Sequence, residues 1–412
     1  MPSRPDVAAA LRQQASVTAF LARWIVLGAA SGALAGLASW VFLEGLDRVT
    51  EFRLDHGWLV WLLPMGGLVI GLLYHLFGGR AVRGNALLLD EIHEPTQWVP
   101  RRMAPLVLGG TWLTHLFGGS AGREGTALQM SGSLTDLLSR TLRLRDEDRR
   151  LLLIAALGGG FGSVFGVPLA GAVFAMEVQA VGRVRYEALV PALTASVVGD
   201  LVVSGLGYEH AALPQIATGL GAVVALKVAA AGLAFGLASV AFIESIHGVA
   251  AVVRRYVTWA PLRPALGGVV LVALAALCGR DYLGLSLPLA DDALAGVGVA
   301  GYVFALKLLF TAVTLGSGFP GGEVTPLFVI GATLGASLSG VLDAPPHLLA
   351  AVGFVAVFAA ASNTPLACTV MGAEMFGAEA IPLIAIGCVV AYVFSSHRSI
   401  YATQRVVAVK HR

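Results

Sequence analysis

The chain has 412 residues, 57% of them hydrophobic and only 13% charged. Soluble domains carry about 25% charged residues, so this composition excludes a soluble globular protein and puts most of the mass in a lipid bilayer. The net charge of +2 gives no sign of a nucleic-acid partner, and Cys278, Cys368 and Cys388 sit in or beside apolar runs without metal-ligand spacing.

The first 23 residues are polar, include Arg4, Arg12 and Arg23, and carry no signal-cleavage pattern, so they read as a cytosolic lead-in. Apolar runs long enough to span, about 20 residues each, follow at 24–46, 58–77, 188–206, 219–247, 258–278, 297–315 and 380–396. Shorter, glycine-interrupted runs at 104–117, 125–139, 151–165, 168–181, 324–341, 347–361 and 364–376 predict helices that stop inside the membrane. The most charged connections, 140–150 and 182–185, are rich in arginine and are expected on the cytoplasmic face. Asp90, Glu91, His93 and Glu94 precede Pro95 and read as a solvated polar connection rather than a metal cluster. The whole chain, 1–412, is expected to be one membrane transport domain without a soluble regulatory domain.

The chain repeats itself. Gly36-Leu37-Ala38-Ser39, with Phe42 and Glu44, recurs 200 residues later as Gly236-Leu237-Ala238-Ser239, with Phe242 and Glu244. Gly122-Arg123-Glu124-Gly125-Thr126-Ala127-Leu128 aligns at an offset of 199 with Gly321-Gly322-Glu323-Val324-Thr325-Pro326-Leu327. Pro168-Leu169-Ala170 with Glu177 matches Pro365-Leu366-Ala367 with Glu374 at an offset of 197. Three matches in one order define two halves, about 24–206 and 219–400. Repeated halves with broken helices are a transporter architecture with a site at mid-membrane. The expected fold is therefore all-α, with two inverted-topology repeats of transmembrane and re-entrant helices.

The repeat puts two glycine-rich loops at the centre, one around Glu124 and one running Gly318-Phe319-Pro320-Gly321-Gly322-Glu323. A charge at bilayer depth costs about 3 kcal/mol on insertion scales, so Glu124 must face protein or a wet path. Each loop leads into a helix. If the halves are inverted, both N-termini aim at one point, and two positive dipole ends make an anion site without a fixed cation.

The GREGT sequence at 122–126, GGEVTP at 321–326 and PLAGAVFAMEV at 168–178 resemble the CLC family of anion channels and anion/proton antiporters, over nearly the whole chain. The resemblance implies a homodimer with one anion pathway per subunit, and a gating, proton-carrying glutamate that Glu124 matches. The departures point to a branch. Chloride-selective members carry a serine loop where this chain has Arg83-Gly84-Asn85-Ala86, and a proline where it has Thr126. Val178 stands where antiporting members often keep a second glutamate. Together these resemble the fluoride/proton antiporter branch, which implies proton relay by Glu323 and anion contact by Thr325. Tyr401 resembles that family's pore-side tyrosine.

Each role has a plainer counterpart. Thr325 is an anion contact or a helix cap, Asn85 an anion contact or a turn residue. Glu323 relays protons or caps its helix, and Tyr401 borders the inner mouth or sits at the membrane interface. Phe319 flanks the path or packs in the core. Glu177 and Glu374 are expected at helix ends. The anion-site residues are Asn85, Gly122, Arg123, Gly125, Thr126, Gly322, Val324, Thr325 and Tyr401. The expected activity is fluoride export against proton entry in a bacterial plasma membrane. A chloride/proton exchanger and a passive anion channel are the alternatives. With no nucleophile–base pair and no cofactor motif, neither an enzyme nor a cofactor is expected.

Overall fold

Sixteen α-helices hold most of residues 7–410, the part that the computed structural model describes, with side chains from residue 13 onward. Arg4 and the side chain of Arg12 lie outside the described residues. The first half holds α1 (Val7–Asp55), α2 (Leu63–Phe77), α3 (Asn85–His93), α4 (Met103–Phe117), α5 (Glu124–Thr141), α6 (Asp146–Phe165), α7 (Pro168–Glu177) and α8 (Leu189–Gly205). The second holds α9 (Ala222–Tyr256), α10 (Leu262–Cys278), α11 (Leu287–Leu294), α12 (Val303–Ser317), α13 (Val324–Leu342), α14 (Pro346–Ser362), α15 (Pro365–Phe376) and α16 (Ile381–Phe394).

Every apolar run of the sequence became a helix, but their lengths sort differently. Among the described residues, five helical stretches are long and apolar enough to cross a membrane: Gln13–Asp55, Gly57–Phe77, Tyr186–Gly205, Ala222–Tyr256 and Val324–Leu342. The runs at 258–278, 297–315 and 380–396 yield shorter helices, because Pro261, Gly318 and Ser395 cap α10, α12 and α16. Conversely α13, read as a short run, has 19 residues. The short helices α3 and α11 carry too few apolar residues in a row to stand out as runs.

The two halves pack alike. α1 lies on α8 as α9 lies on α16, and α5 lies on α6 as α13 lies on α14. The pairs α2–α10 and α7–α15 join counterpart helices, so a pseudo-two-fold axis passes between them. The repeated Gly36 and Gly236 occupy equivalent crossings. A Cβ on Gly36 would fall 2.5 Å from the Gly199 carbonyl oxygen, and one on Gly236 2.7 Å from that of Ala391. Small residues admit such close backbone approach between membrane helices.

The second pair of repeated motifs exchanges acids across the axis. Glu177, at the end of α7, accepts hydrogen bonds from the amides of Leu366 (3.1 Å) and Ala367 (2.8 Å) at the start of α15. Glu374, on α15, accepts from those of Leu169 (2.9 Å) and Ala170 (2.7 Å) at the start of α7. Each carboxylate satisfies orphan amides at a helix N-terminus. They sit at helix ends, as the sequence predicts.

In the central loops the register of the repeat shifts by one residue. α4 ends on left-handed Gly118 and α12 on left-handed Gly318, while α5 begins at Glu124 and α13 at Val324. The structural offset is therefore 200, not 199, and the counterpart of Glu124 is Val324. Glu323 instead occupies the place of Arg123. The identities Gly, Glu, Thr and Leu aligned the motifs, but the loop geometry does not follow them.

The arginine-rich connections form one continuous face. Arg23 near the start of α1 pairs with Asp148 of α6 at 2.6 Å. Arg149 holds Asp136 through Nε at 2.6 Å and Glu91 through Nη1 at 3.3 Å. Arg80 reaches the same Glu91 at 2.7 Å. A solvated connection is therefore the wrong description of 90–93, although Glu94 beyond them is exposed. Asp90, Glu91 and His93 lie on helix α3, with Glu91 and His93 buried, and His93 Nε2 pairs with the Gln179 carbonyl. Parallel two-residue strands β1 (Ala180–Val181) and β2 (Arg405–Val406) tie the C-terminal tail to this face.

Candidate functional site

Gly122 and Gly322 meet on the axis. The amide of each donates to the carbonyl of the other, at 2.7 and 2.9 Å, as an isolated antiparallel bridge. This exchange places the N-termini of α5 and α13 side by side at the centre of the molecule.

Glu124 fills the point between them. Its side chain is fully buried and reaches across to the helix of the other half. Oε1 accepts from the Val324 amide at 2.6 Å. Oε2 accepts from the Thr325 amide at 3.3 Å, the Thr325 hydroxyl at 3.2 Å and the Arg123 amide at 2.9 Å. All four partners are donors, which is how a protein replaces the hydration of an anion. Glu124 thus opens its own helix in sequence but serves as an anion on the N-terminus of α13.

Both bridging glycines are needed for that seat. A Cβ on Gly322 would fall 1.9 Å from Glu124 Oε1, and one on Gly122 2.6 Å from Oε2. Neither glycine has a left-handed backbone, so the requirement is space, not conformation. Gly125 is confined between the Gly321 carbonyl and the Asn85 amide, 3.3 and 3.4 Å from where its Cβ would stand.

The other sequence-nominated residues divide. Val324 has a buried apolar side chain and contributes its amide. Thr325 spends its hydroxyl on Glu124 rather than on its own helix. Thr126 is turned away from the seat, its hydroxyl 2.7 Å from that of Thr111. The guanidinium of Arg123 lies over the Phe165 ring, 5.5 Å from its centroid. Glu323 stands at the N-cap of α13 but makes no side-chain cap bond there, because Glu124 already occupies the first amides. Phe319 does two things: it packs with Val60, Leu63 and Ile70, and it borders a cavity of about 480 Å³.

Asn85 and Tyr401 come together although 316 residues separate them. With Leu89, Leu128, Leu157, Phe174 and Val178 they line a cavity of about 10 Å³. That is room for about one water-sized species. Gly84, with φ of 54°, turns the chain so that Asn85 opens α3 facing this cavity, and its Oδ1 is buried without a partner. Tyr401 is buried at 5% exposure, so it is not an interfacial tyrosine.

Several buried basic groups were missed in the sequence, Arg53, His115 and Lys307 among them. Lys307 of α12 is fully buried, and Nζ donates to Ser120 Oγ (2.9 Å), the Gly284 carbonyl (2.8 Å) and Ser286 Oγ (2.9 Å). Its only signal was a single cation inside the apolar run 297–315.

Residues 66–396 match the sequence model of the voltage gated chloride channel family. The chain is 46% identical to a chloride/fluoride channel protein of Pseudomonas syringae pv. tomato, over 97% of this chain and 90% of that one. Among solved structures it resembles a CLC-type fluoride/proton antiporter with a TM-score of 0.90 and 35% identity, covering 94% of this chain and 98% of that one. A slow cyanobacterial Cl⁻/H⁺ antiporter shares the fold with a TM-score of 0.77 at 20% identity, over 90% of this chain and 94% of that one. A glutamate seated on crossed helix ends, two repeated halves and these matches lead to one conclusion: the chain belongs to the voltage gated chloride channel (CLC) family, and stands in its fluoride branch.

Proposed function

We propose that the protein is a membrane antiporter that exports fluoride in exchange for protons. The observation that carries this reading is the Glu124 seat, where four donors from both halves hold a carboxylate at the N-terminus of α13. Such a seat suits a second, competing anion. While Glu124 is ionised it occupies the seat. Protonation removes its charge and weakens those bonds, and the side chain yields the place to fluoride. When the anion leaves, the carboxylate gives up its proton and returns.

Fluoride loses much hydration on entry, so strong donors must meet it along the way. The Val324 amide and the Thr325 hydroxyl supply them at the centre, and the Asn85 amide supplies one beside Tyr401. Glu323, adjacent to the seat and not engaged in capping, serves as the second proton station in place of the apolar Val178. The printed names of the relatives, one a chloride/fluoride channel and one a fluoride/proton antiporter, support the same ion. The protein acts as a homodimer in a bacterial plasma membrane, with the arginine-rich face in the cytoplasm.

The test is ion efflux from liposomes loaded with equal fluoride and chloride, with internal pH recorded, for wild type and Glu124→Gln. Fast fluoride loss, slow chloride loss and a pH change abolished by the variant are expected. Equal loss of both ions would make this a chloride/proton exchanger, and fluoride flux that never moves protons would make it a channel.

A further inference from the structure

A second group of basic side chains lies on the other side of the Glu124 loop from Asn85 and Tyr401. It is built around Gly284, in the turn before α11. Lys307 Nζ donates to the Gly284 carbonyl at 2.8 Å. The position that a Gly284 Cβ would take lies 3.1 Å from Arg53 Nη2 and 3.8 Å from His115 Nδ1. Three basic groups thus converge where a glycine leaves room. None of the three forms an ion pair among the described residues. Arg53 Nε is buried without a hydrogen-bond partner, and His115, only 1% exposed, has no side-chain partner and only the Gly122 backbone beside its ring. Unmet buried donors are costly, and a ligand that accepts hydrogen bonds would relieve them.

The cluster is open to one side. Arg53, Leu283, Leu285 and Ser286 line a cavity of about 640 Å³ beside it, with Arg280 further along the wall. Three carboxylates, Asp47, Asp281 and Asp292, also stand in that wall. The group around Gly284 itself contains no acid. Ser286 links the cavity to Lys307 at 2.9 Å, and Lys307 links it to Ser120, four residues before Glu124, at 2.9 Å.

The pseudo-symmetry sharpens the point. α11 is the counterpart of α3, so this cavity is the counterpart of the one beside Gly84 and Phe319, and inverted halves put the two on opposite membrane faces. At the offset of 200, Arg53, His115 and Lys307 correspond to Val253, Leu315 and Val107. The helices are repeated and the charges are not. Three apolar-to-basic differences at one spot are not required by packing, since the apolar counterparts build the same helix crossings.

We infer that the end of this cavity where Arg53 stands, with the buried His115 and Lys307 behind it, is a binding site for a small inorganic anion. The site stages the ion on the face opposite the arginine-rich connections, next to the loop that carries Glu124. It rests on the reading of the protein as an anion transporter but adds a second, sided station to it.

The experiment measures half-saturating fluoride concentration separately on each face, using right-side-out and inverted membrane vesicles, for wild type, Arg53→Gln and Arg53→Lys. Loss of one charged hydrogen-bond donor predicts a rise of about tenfold in half-saturation on the cavity face. The maximal rate and the opposite face stay unchanged, and Arg53→Lys keeps most of the affinity. Unchanged half-saturation on the cavity face in Arg53→Gln, or an equal loss on both faces, would overturn the site. Chloride is run in parallel. If wild type moves chloride but no fluoride, the fluoride reading fails while the same comparison with chloride still decides the site.

Discussion

Replacing Gly322 with alanine is the most direct way to separate Glu124 from its seat without removing the carboxylate. The new Cβ would stand 1.9 Å from Oε1 and 2.8 Å from Oε2. Ordinary carbon–oxygen contact begins about 1.5 Å further out, so the side chain must swing away or the crossing must open. The Gly322 backbone is not left-handed, so alanine is tolerated there and the clash is the whole effect. Displacement forfeits first the Val324 amide at 2.6 Å. A hydrogen bond to a charged group is worth about 1.5–3 kcal/mol, which is a factor of about 10–100 in occupancy of the seat. Gly322→Ala is therefore expected to speed fluoride movement through liposomes while lowering protons moved per fluoride, approaching Glu124→Gln. A fluoride electrode and an internal pH dye read both quantities together. Wild-type rate and wild-type coupling in Gly322→Ala would refute the idea that the occupied seat is what gates and couples the path.

Three further outcomes follow from other parts of the structure. Glu124→Gln keeps the shape of the seat but no longer carries a proton as a carboxylate, so fluoride flux should persist with no pH change. Arg149→Met leaves Asp136 and Glu91 buried without their shared partner, and breaking a buried pair costs about 3–5 kcal/mol. A marked fall in melting temperature in detergent checks it, and an unchanged midpoint would show that the network adds nothing. For Glu91, burial pushes the carboxyl up, but the Thr96 amide, Arg80, the Gln97 amide and the Arg149 charge outweigh it and hold it below its ordinary value. A lowered native value stabilises the fold above the unfolded carboxyl pKa of about 4.3 and loses that contribution as pH falls further. Unfolding midpoints taken from pH 7 down to pH 3 should drop on the acid side in wild type and drop less in Glu91→Gln.

The sequence by itself determined the class and the plan. Low charge and long apolar runs leave a bilayer as the only medium in which this chain can bury itself, and helices as its means of satisfying the backbone. The repeat marked which segments are counterparts, and the acid within the glycine loop marked the candidate site, because a charge at that depth needs a purpose. Short helices such as α3 and α11 were illegible, since eight or nine residues are too few to register as an apolar run. What only the tertiary structure decided was partnership. Glu124 stands first in α5 yet binds the amides of α13, because the Gly122–Gly322 bridge brings the two helix ends within reach. Glu323 was aligned with Glu124, but the loop geometry makes it the counterpart of Arg123. Asn85 and Tyr401 share one small cavity, and Arg53, His115 and Lys307 share one glycine, although each lies in a different helix or loop. Local sequence sets which segments are helices and what each residue can donate or accept. Which donors meet depends on how the two halves cross, and that is fixed by packing at glycines far apart in the chain.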